Sequence, residues 1–216
     1  MNKEYVENLE KVIKQMMEPL KGIPFNLVVE GLSKGHKIIP FDSKNKDDIA
    51  VLKVLKKVAV LAGKKINEEG IVSRRPNEVG NKIESFIKNA LKESGYEADI
   101  PKAANEKKKS AGYPDILFYD KKKRKHYLEC KTYSTDTLNI SMRSFFVSPS
   151  KNSKIIYDAH HFLISFEMYE DTKTIFKTRS YKIISLENLL VDIKYEFNAN
   201  NIALYKDILA SGKIEV

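Results

Sequence analysis

Residues 113–133 of the chain read YPDILFYDKKKRKHYLECKTY, and this stretch is the most informative part of the sequence. Two segments of mainly aliphatic and aromatic residues, YPDILFY and HYLECKTY, flank the charged run DKKKRK at residues 120–125. Apolar segments of this length around a polar turn are typical of two β-strands joined in a hairpin. If residues 120–125 close the hairpin, Asp115 lies opposite Glu129 on the neighbouring strand.

The second strand carries an acid and a base on the same face. Successive side chains of a strand point to opposite faces, so Glu129 and Lys131 project together. Cys130 points the other way, into the apolar layer with Leu128. Two carboxylates and an ammonium group on one sheet face are costly to desolvate unless a cation joins them. Mg²⁺ favours one or two carboxylates, water and a phosphate as ligands, so the hairpin predicts a magnesium site.

The same three side chains supply what phosphodiester hydrolysis needs. An ion held by Asp115 and Glu129 would polarise the scissile phosphate and activate water. Lys131 would orient that nucleophile and offset the charge that develops on the phosphoryl oxygens. We expect Mn²⁺ to substitute for Mg²⁺.

The remaining pattern predicts helices around a mixed sheet. Apolar residues spaced three and four apart predict helices at residues 4–20, 47–66, 77–94, 186–197 and 201–210. The first helix would bury its Met pair in the core. HFLISFEMY (161–169) and KTIFKTRSYKII (173–184) predict two more strands. The predicted fold class is α/β (α+β), an α-β-α sandwich around a central mixed β-sheet with an N-terminal helical lead-in.

Length and hydropathy predict one compact domain. The chain has 216 residues, of which 42% are hydrophobic, enough to bury a core. We expect a helical lead-in at residues 1–70 packed on a core at residues 71–216. The longest uninterrupted apolar run, residues 58–62, is too short to cross a membrane, and the N-terminal residues lack the apolar segment of a signal peptide. The sequence therefore predicts a soluble, cytoplasmic, prokaryotic protein.

Charge and cysteine content restrict the partners. Lysine and arginine outnumber the acids 38 to 29, and the net charge of +9 favours a polyanionic partner such as DNA. One cysteine excludes an internal disulfide, and four histidines without a second cysteine do not make an ordinary structural zinc site. We therefore expect oxygen ligands for any metal.

The hairpin resembles a known nuclease signature. Pro114 and Asp115, followed after thirteen residues by Glu129, Cys130 and Lys131, resemble the motif of the PD-(D/E)XK nuclease superfamily, here PD-X13-ECK. The resemblance implies a restriction-endonuclease-like fold and hydrolysis that leaves a 5′-phosphate and a 3′-hydroxyl. It also implies metal ligation by the first two acids of the motif and the backbone carbonyl of Cys130.

The superfamily also tends to place an acid on the helix before the hairpin. The segment GNKIESFI offers Glu84 in that role, with Glu78 as the alternative. We favour Glu84 because it adjoins the apolar stripe of its helix, which faces the sheet.

Candidate DNA-binding residues lie in basic or hydroxyl-rich segments. The stretch STDTLNISMRSFFVSPSKN (134–152) is rich in groups that suit base edges and phosphates, and with KIIYDAHHFLISFE it resembles the corresponding part of Type II restriction endonucleases. The candidates are Arg74, Arg75, Lys107, Lys108, Lys109, Lys123, Arg124, Ser134, Ser141, Arg143 and Arg179. For each, an ordinary solvated surface position remains the alternative.

The leading hypothesis is a Type II restriction endonuclease that acts on double-stranded DNA as a homodimer, because two-fold protein symmetry matches a palindromic site. A structure-selective nuclease, such as a Holliday-junction resolvase or a repair nuclease, is the second hypothesis. A non-catalytic DNA-binding protein is the third. His160 and His161, neighbours in a strand, are predicted to face opposite ways and to be structural.

Overall fold

The computed structural model describes residues 2–18, 20–74, 76–105, 111–140 and 144–195, without the side chains of residues 76 and 77. The chain divides into two compact units, Met1–Ile23 with Val191–Val216, and Pro24–Leu190. The larger unit contains the hairpin. The predicted boundary near residue 70 stays a prediction.

Helix α1 (Lys3–Met17) belongs to the smaller unit. The side chain of Asn2 caps the helix by accepting a hydrogen bond from the backbone N–H of Glu4 at 3.1 Å. Its predicted amphipathic pattern is present, but no residue of the helix is buried. The prediction that the Met pair lies in the core is therefore wrong for the described chain, and Met17 is 76% exposed.

A six-stranded mixed sheet organises the larger unit. Its strand order is β2-β7-β6-β5-β4-β3, with β5 and β6 parallel and all other neighbours antiparallel. The strands are β2 (Ile71–Val72), β3 (Ala98–Asp99), β4 (Ile116–Tyr119), β5 (Lys125–Tyr133), β6 (His160–Thr172) and β7 (Ile175–Ser185). Strands β1 (Ile23–Pro24) and β8 (Leu190–Val191) pair separately with each other. The mixed α+β class predicted from the sequence is confirmed.

Helices α3 (Lys46–Glu69) and α4 (Pro76–Glu93) cover one face of the sheet. Their apolar stripes form a common core with the inward residues of the strands, including Leu128 and Cys130. The position of Cys130 in the apolar layer is thus confirmed. Both helices were expected from periodicity, and α4 ends before Gly95, whose φ of +84° suits glycine after a helix. Neither these helices nor any other in the described part of the chain has the length and apolar character needed to span a bilayer.

The first turn of helix α2 (Phe25–Leu32) and part of the connection from β5 to β6 lie on the side of the opposite sheet face. The ring of Phe25 packs edge-on against Tyr113 with 5.4 Å between centroids. The Tyr127 hydroxyl donates to the carbonyl of Lys154 at 3.2 Å. This face also carries Glu129, two residues along β5 from Tyr127. The sequence pattern did not predict α2.

The predicted helix at residues 186–197 is wrong over its described residues. Leu186 is buried and its N–H donates to the carbonyl of His161, after which Leu190–Val191 forms a strand. Backbone hydrogen bonds to β-structure thus replace the helical ladder. The second predicted C-terminal helix, residues 201–210, lies outside the described residues.

Candidate active site

The β4–β5 hairpin positions the predicted centre. Its register pairs Ile116 with Leu128, so Asp115, one residue before β4, lies across from Glu129. The predicted antiparallel hairpin is confirmed, and residues 120–124 close it, one residue fewer than the predicted 120–125. Asp115 is fixed there because its Oδ2 accepts a hydrogen bond from the backbone N–H of Cys130 at 2.8 Å. The two acids of the motif are therefore brought together by strand pairing.

Glu129 and Lys131 lie on the same face, as strand alternation requires. The Lys131 Nζ is 2.7 Å from Glu129 Oε1, and the Lys131 side chain is partly exposed while that of Glu129 is almost fully buried. A charge-assisted hydrogen bond of this length is among the stronger polar contacts in proteins. Lys131 thus holds one carboxylate oxygen of the centre and can still reach solvent.

Both carboxyls of the centre have pKa values above their ordinary ones in the free protein. Burial, followed by the charge of Asp115, raises the pKa of Glu129 to about 7. Burial also raises the pKa of Asp115, against the lowering effect of the Cys130 N–H and Lys131. Two close carboxyls with raised pKa values are a frequent feature of functional sites, since only another cation or a proton relieves their repulsion.

The donor set fits a hard divalent cation. Glu129 Oε2 is buried and has no hydrogen-bond partner among the described residues, which leaves one carboxylate oxygen available as a ligand. No group of three or more His, Cys, Asp or Glu side chains in the described ranges is arranged to hold a metal. An ion at this place would therefore have Asp115, Glu129 and the Cys130 carbonyl as its protein ligands. Such an incomplete oxygen set suits Mg²⁺, which retains several waters.

Of the two candidate acids on α4, Glu84 is the one beside the hairpin. Burial and then the charge of Asp115 raise the pKa of Glu84, so the two carboxyls are near enough to interact. Glu78 is exposed and accepts a hydrogen bond from the Ser73 hydroxyl at 3.5 Å. The geometry favours Glu84 as the third acid of the centre.

A second lysine at the centre carries no signal in the sequence. Lys154 is 3% exposed, and its charge lowers the pKa values of Asp115, Glu129 and Glu84. It lies in the β5–β6 connection, far from the motif along the chain. Sequence reasoning missed it because isolated lysines are common in this chain.

An aromatic and histidine pair supports the segment that leads to Asp115. The hydroxyl of Tyr113 and Nδ1 of His161 are hydrogen-bonded at 2.6 Å, and both residues are buried. His160 instead contacts Asp48 on the opposite face, with Nε2 3.3 Å from Oδ2. The predicted opposite orientation of the two histidines is confirmed, and each has a structural partner.

Two predicted DNA-binding residues line one groove beside the centre. Ser134 and Arg179 border a cavity of about 840 Å³ that also includes Thr132, the residue after Lys131. The Arg179 guanidinium stacks over the ring of Tyr169 at 4.3 Å. Ser134 forms the capping box of the 3₁₀ turn Thr135–Thr137. DNA contact by these residues stays a prediction.

The basic hairpin turn is held by ion pairs. Arg124 Nη1 is 2.6 Å from Asp48, and its Nε is 2.7 Å from Asp120. Lys123 is exposed and pairs with Glu97. The turn lies at the end of the hairpin away from Asp115, so this geometry gives Arg124 a structural partner set and does not favour its predicted DNA contact.

The other predicted DNA-binding residues are either exposed or outside the described residues. Arg74 is described and exposed. Arg75, Lys107, Lys108, Lys109, Ser141 and Arg143 lie outside the described residues.

Comparison with known proteins gives two matches over nearly the whole chain. A family model described as the Type II restriction enzyme MjaV family matches residues 9–208. A curated relative, the Type II restriction enzyme MjaV of Methanocaldococcus jannaschii, is 38% identical over 221 residues, which cover 95% of this chain and 94% of the relative. No solved structure matches the chain significantly.

Proposed function

The chain belongs to the MjaV family of Type II restriction enzymes, and we propose that it cuts double-stranded DNA with a Mg²⁺-dependent centre formed by Asp115, Glu129 and Lys131. Membership of the family makes it a Type II restriction endonuclease. The proposal adds the residues that carry the reaction, the metal and assignment to the PD-(D/E)XK superfamily.

One observation carries the proposal. Asp115 faces Glu129 across the hairpin register, and Lys131 Nζ lies 2.7 Å from the Glu129 carboxylate. Two acids and an amine at one point on a sheet face match the chemical demands of phosphodiester cleavage. A hairpin with surface charges alone would leave no reason for a nearly buried Glu129 beside a second carboxyl.

The chain's own groups divide the work. Asp115, Glu129 and the Cys130 carbonyl would hold the ion, and Glu84 adds a nearby negative charge. Mg²⁺, when bound, would act as a Lewis acid on the scissile phosphate. Lys131, which is partly exposed, would orient the attacking water and balance charge on the phosphoryl oxygens. Water adds across the P–O3′ bond, so that phosphorus gains a hydroxyl and the 3′ oxygen gains a proton, which leaves a 5′-phosphate and a 3′-hydroxyl.

A double-strand cut at a symmetric site needs two centres, so we propose that the enzyme acts as a homodimer. Sedimentation equilibrium with and without an oligonucleotide that contains the site measures this. A species that is monomeric in both conditions, at concentrations that support cleavage, would count against the dimer.

The catalytic proposal is tested with near-isosteric variants. Asp115→Asn and Glu129→Gln are expected to lower the cleavage rate at least about 100-fold, since each removes a charge on which transition-state stabilisation depends. Glu68→Gln, at an exposed position of α3, is the matched control and should cut normally. The assay is digestion of phage DNA with Mg²⁺, with sequencing of the fragment ends to identify the site and the cut. Cleavage at the wild-type rate by either motif variant would refute its assignment.

A further inference from the structure

Lys154 is buried to a degree that lysines seldom reach. The whole residue is 3% exposed, and its ammonium nitrogen is shielded from solvent. Lys151, three residues earlier in the same connection, is exposed. An ammonium group loses its hydration on burial, so it remains charged only where negative groups compensate.

The backbone places Lys154 on the catalytic face of the sheet. The Tyr127 hydroxyl donates to the Lys154 carbonyl at 3.2 Å and accepts from the N–H of Ile156 at 3.0 Å. Tyr127 and Glu129 are two residues apart on β5 and therefore project from the same face. The clamp at Tyr127 holds this part of the connection over the face that carries the centre.

The compensating charges are the acids of the proposed centre. Lys154 interacts electrostatically with Asp115, Glu129 and Glu84, which come from the hairpin and from α4. Lys131 also acts on the first two of these acids. The two lysines reach the acids from different parts of the chain, one from the strand itself and one from the connection above it.

Lys154 also borders a cavity of about 280 Å³. Tyr113 and the polar residues Ser150, Asn152 and Ser153 are among its other lining residues. Lys154 thus lines this cavity and also interacts with the acids of the centre.

Lys154 determines whether the metal-loaded centre presents a positive or a neutral net charge to a phosphate. With three carboxylates ionised and two lysines present, the centre has one net negative charge, which a divalent cation converts to one net positive charge. That sign attracts the single negative charge of a phosphodiester. Without Lys154 the loaded centre would be neutral, and its attraction for the phosphate would be weaker.

Building on the proposed nuclease centre, we propose that Lys154 is a positioning residue whose buried positive charge sets the net charge of the acids of the centre and favours the scissile phosphate. It ligates no ion. It differs in this from a residue that merely fixes the acids in place, because its loss should change metal binding and cleavage in opposite directions.

The test compares Lys154→Met, which removes the charge at similar length, with Lys57→Met at an exposed position of α3 as the control. We expect Lys154→Met to lower kcat for a DNA substrate roughly 10- to 100-fold with a smaller change in KM. In the absence of DNA, calorimetry should show Mn²⁺ binding tightened at least about threefold, because a nearby like charge is removed. The titration is done at about pH 8.5, above the pKa of Glu129. Lys57→Met should match the wild type in both measurements.

Two results would overturn the inference. An unchanged kcat in Lys154→Met would show that its charge is not used, and weakened Mn²⁺ binding would show that Lys154 only holds the acids in place. If the methionine variant does not fold, Lys154→Gln is measured in the same way and judged by the same outcomes. Lys154→Arg, which keeps the charge, should recover at least part of the lost kcat.

The activities of the motif variants and of Lys154→Met distinguish a wrong role for Lys154 from a wrong catalytic centre. Wild-type activity of Asp115→Asn and Glu129→Gln would refute the proposed nuclease centre. If the motif variants are inactive and Lys154→Met is fully active, only the proposed role of Lys154 is refuted.

Discussion

Acid should destabilise this protein through His126, a fully buried histidine of the hairpin. Its ring stacks on Phe118 and on His160, with centroids 4.9 and 5.2 Å away, and its Nε2 is 3.3 Å from Asp120. Burial, followed by the charge of His160, lowers the pKa of His126 from 6.5 to about 4 despite the nearby carboxylate. The folded protein therefore resists protonation that the unfolded chain accepts.

The direction and size of the effect follow from linkage. Above the unfolded pKa of 6.5 both states hold a neutral ring, so the residue causes no pH dependence. As the pH falls below 6.5 the unfolded state gains the proton first, and the free energy of unfolding decreases. The loss is about 2 kcal/mol at pH 5 and about 3 kcal/mol at pH 4 for this group, as orders of magnitude.

The measurement is urea denaturation followed by circular dichroism at about pH 8, 6 and 5. The comparison is with His126→Phe, which keeps a ring in the stack and removes the titrating group. Glu129 acts in the opposite direction, because its raised pKa makes the folded state take up its proton first between pH 7 and 4.5. That contribution is present in both proteins and cancels in their difference.

We expect the wild type to lose about 2 kcal/mol more than His126→Phe between pH 8 and pH 5. A constant offset between the two proteins across this range would refute the argument, even if His126→Phe were less stable throughout. Parallel curves would mean that the ring has the same pKa in the folded protein as in the unfolded chain.

Two further predictions concern stability. Arg124→Met should lower the free energy of unfolding by about 1.5–3 kcal/mol, because it removes the cation that pairs with the buried Asp48 and the partly buried Asp120. The exposed neighbour variant Lys123→Met should change it by less than about 1 kcal/mol, and similar losses for both variants in urea titrations would contradict the ion-pair network. Gly70→Ala should cost about 2–4 kcal/mol, since φ is +69° and an added Cβ would lie 2.7 Å from a methyl of Ile175. Gly95→Ala, with φ of +84° and open space, should cost about 1–2 kcal/mol, and equal losses in thermal unfolding would exclude the clash.

The hairpin and its acids could be predicted because their signals are local. Strand alternation determines that Glu129 and Lys131 share a face, and a short turn determines that Asp115 meets Glu129. The neighbouring helices α3 and α4 likewise follow from the spacing of their apolar residues. Each of these features depends on residues close together in the chain.

Features set by distant partners could not be predicted in the same way. Helix α2 has eight residues between Pro24 and the turn at Ser33, and its place depends on Phe25 packing against Tyr113. The predicted helix at 186–197 had suitable spacing, yet Leu186 bonds to β6 through His161. The parallel pairing of β5 with β6 likewise depends on contacts between distant segments, which local periodicity does not encode.

Arg124 and Lys154 show that the surroundings of a charged residue could not be predicted from the sequence either. In a chain with 38 lysines and arginines, a run such as 121–125 attracts attention, and a single lysine such as Lys154 does not. The fold reverses that order, because Arg124 in the run is paired with carboxylates away from the centre, while Lys154 is buried among the acids. The cost of burying an ammonium group depends on its surroundings, and those surroundings come from the hairpin, α4 and the β5–β6 connection together. We therefore expect the buried Lys154 to contribute more to the activity than the basic run at 121–125.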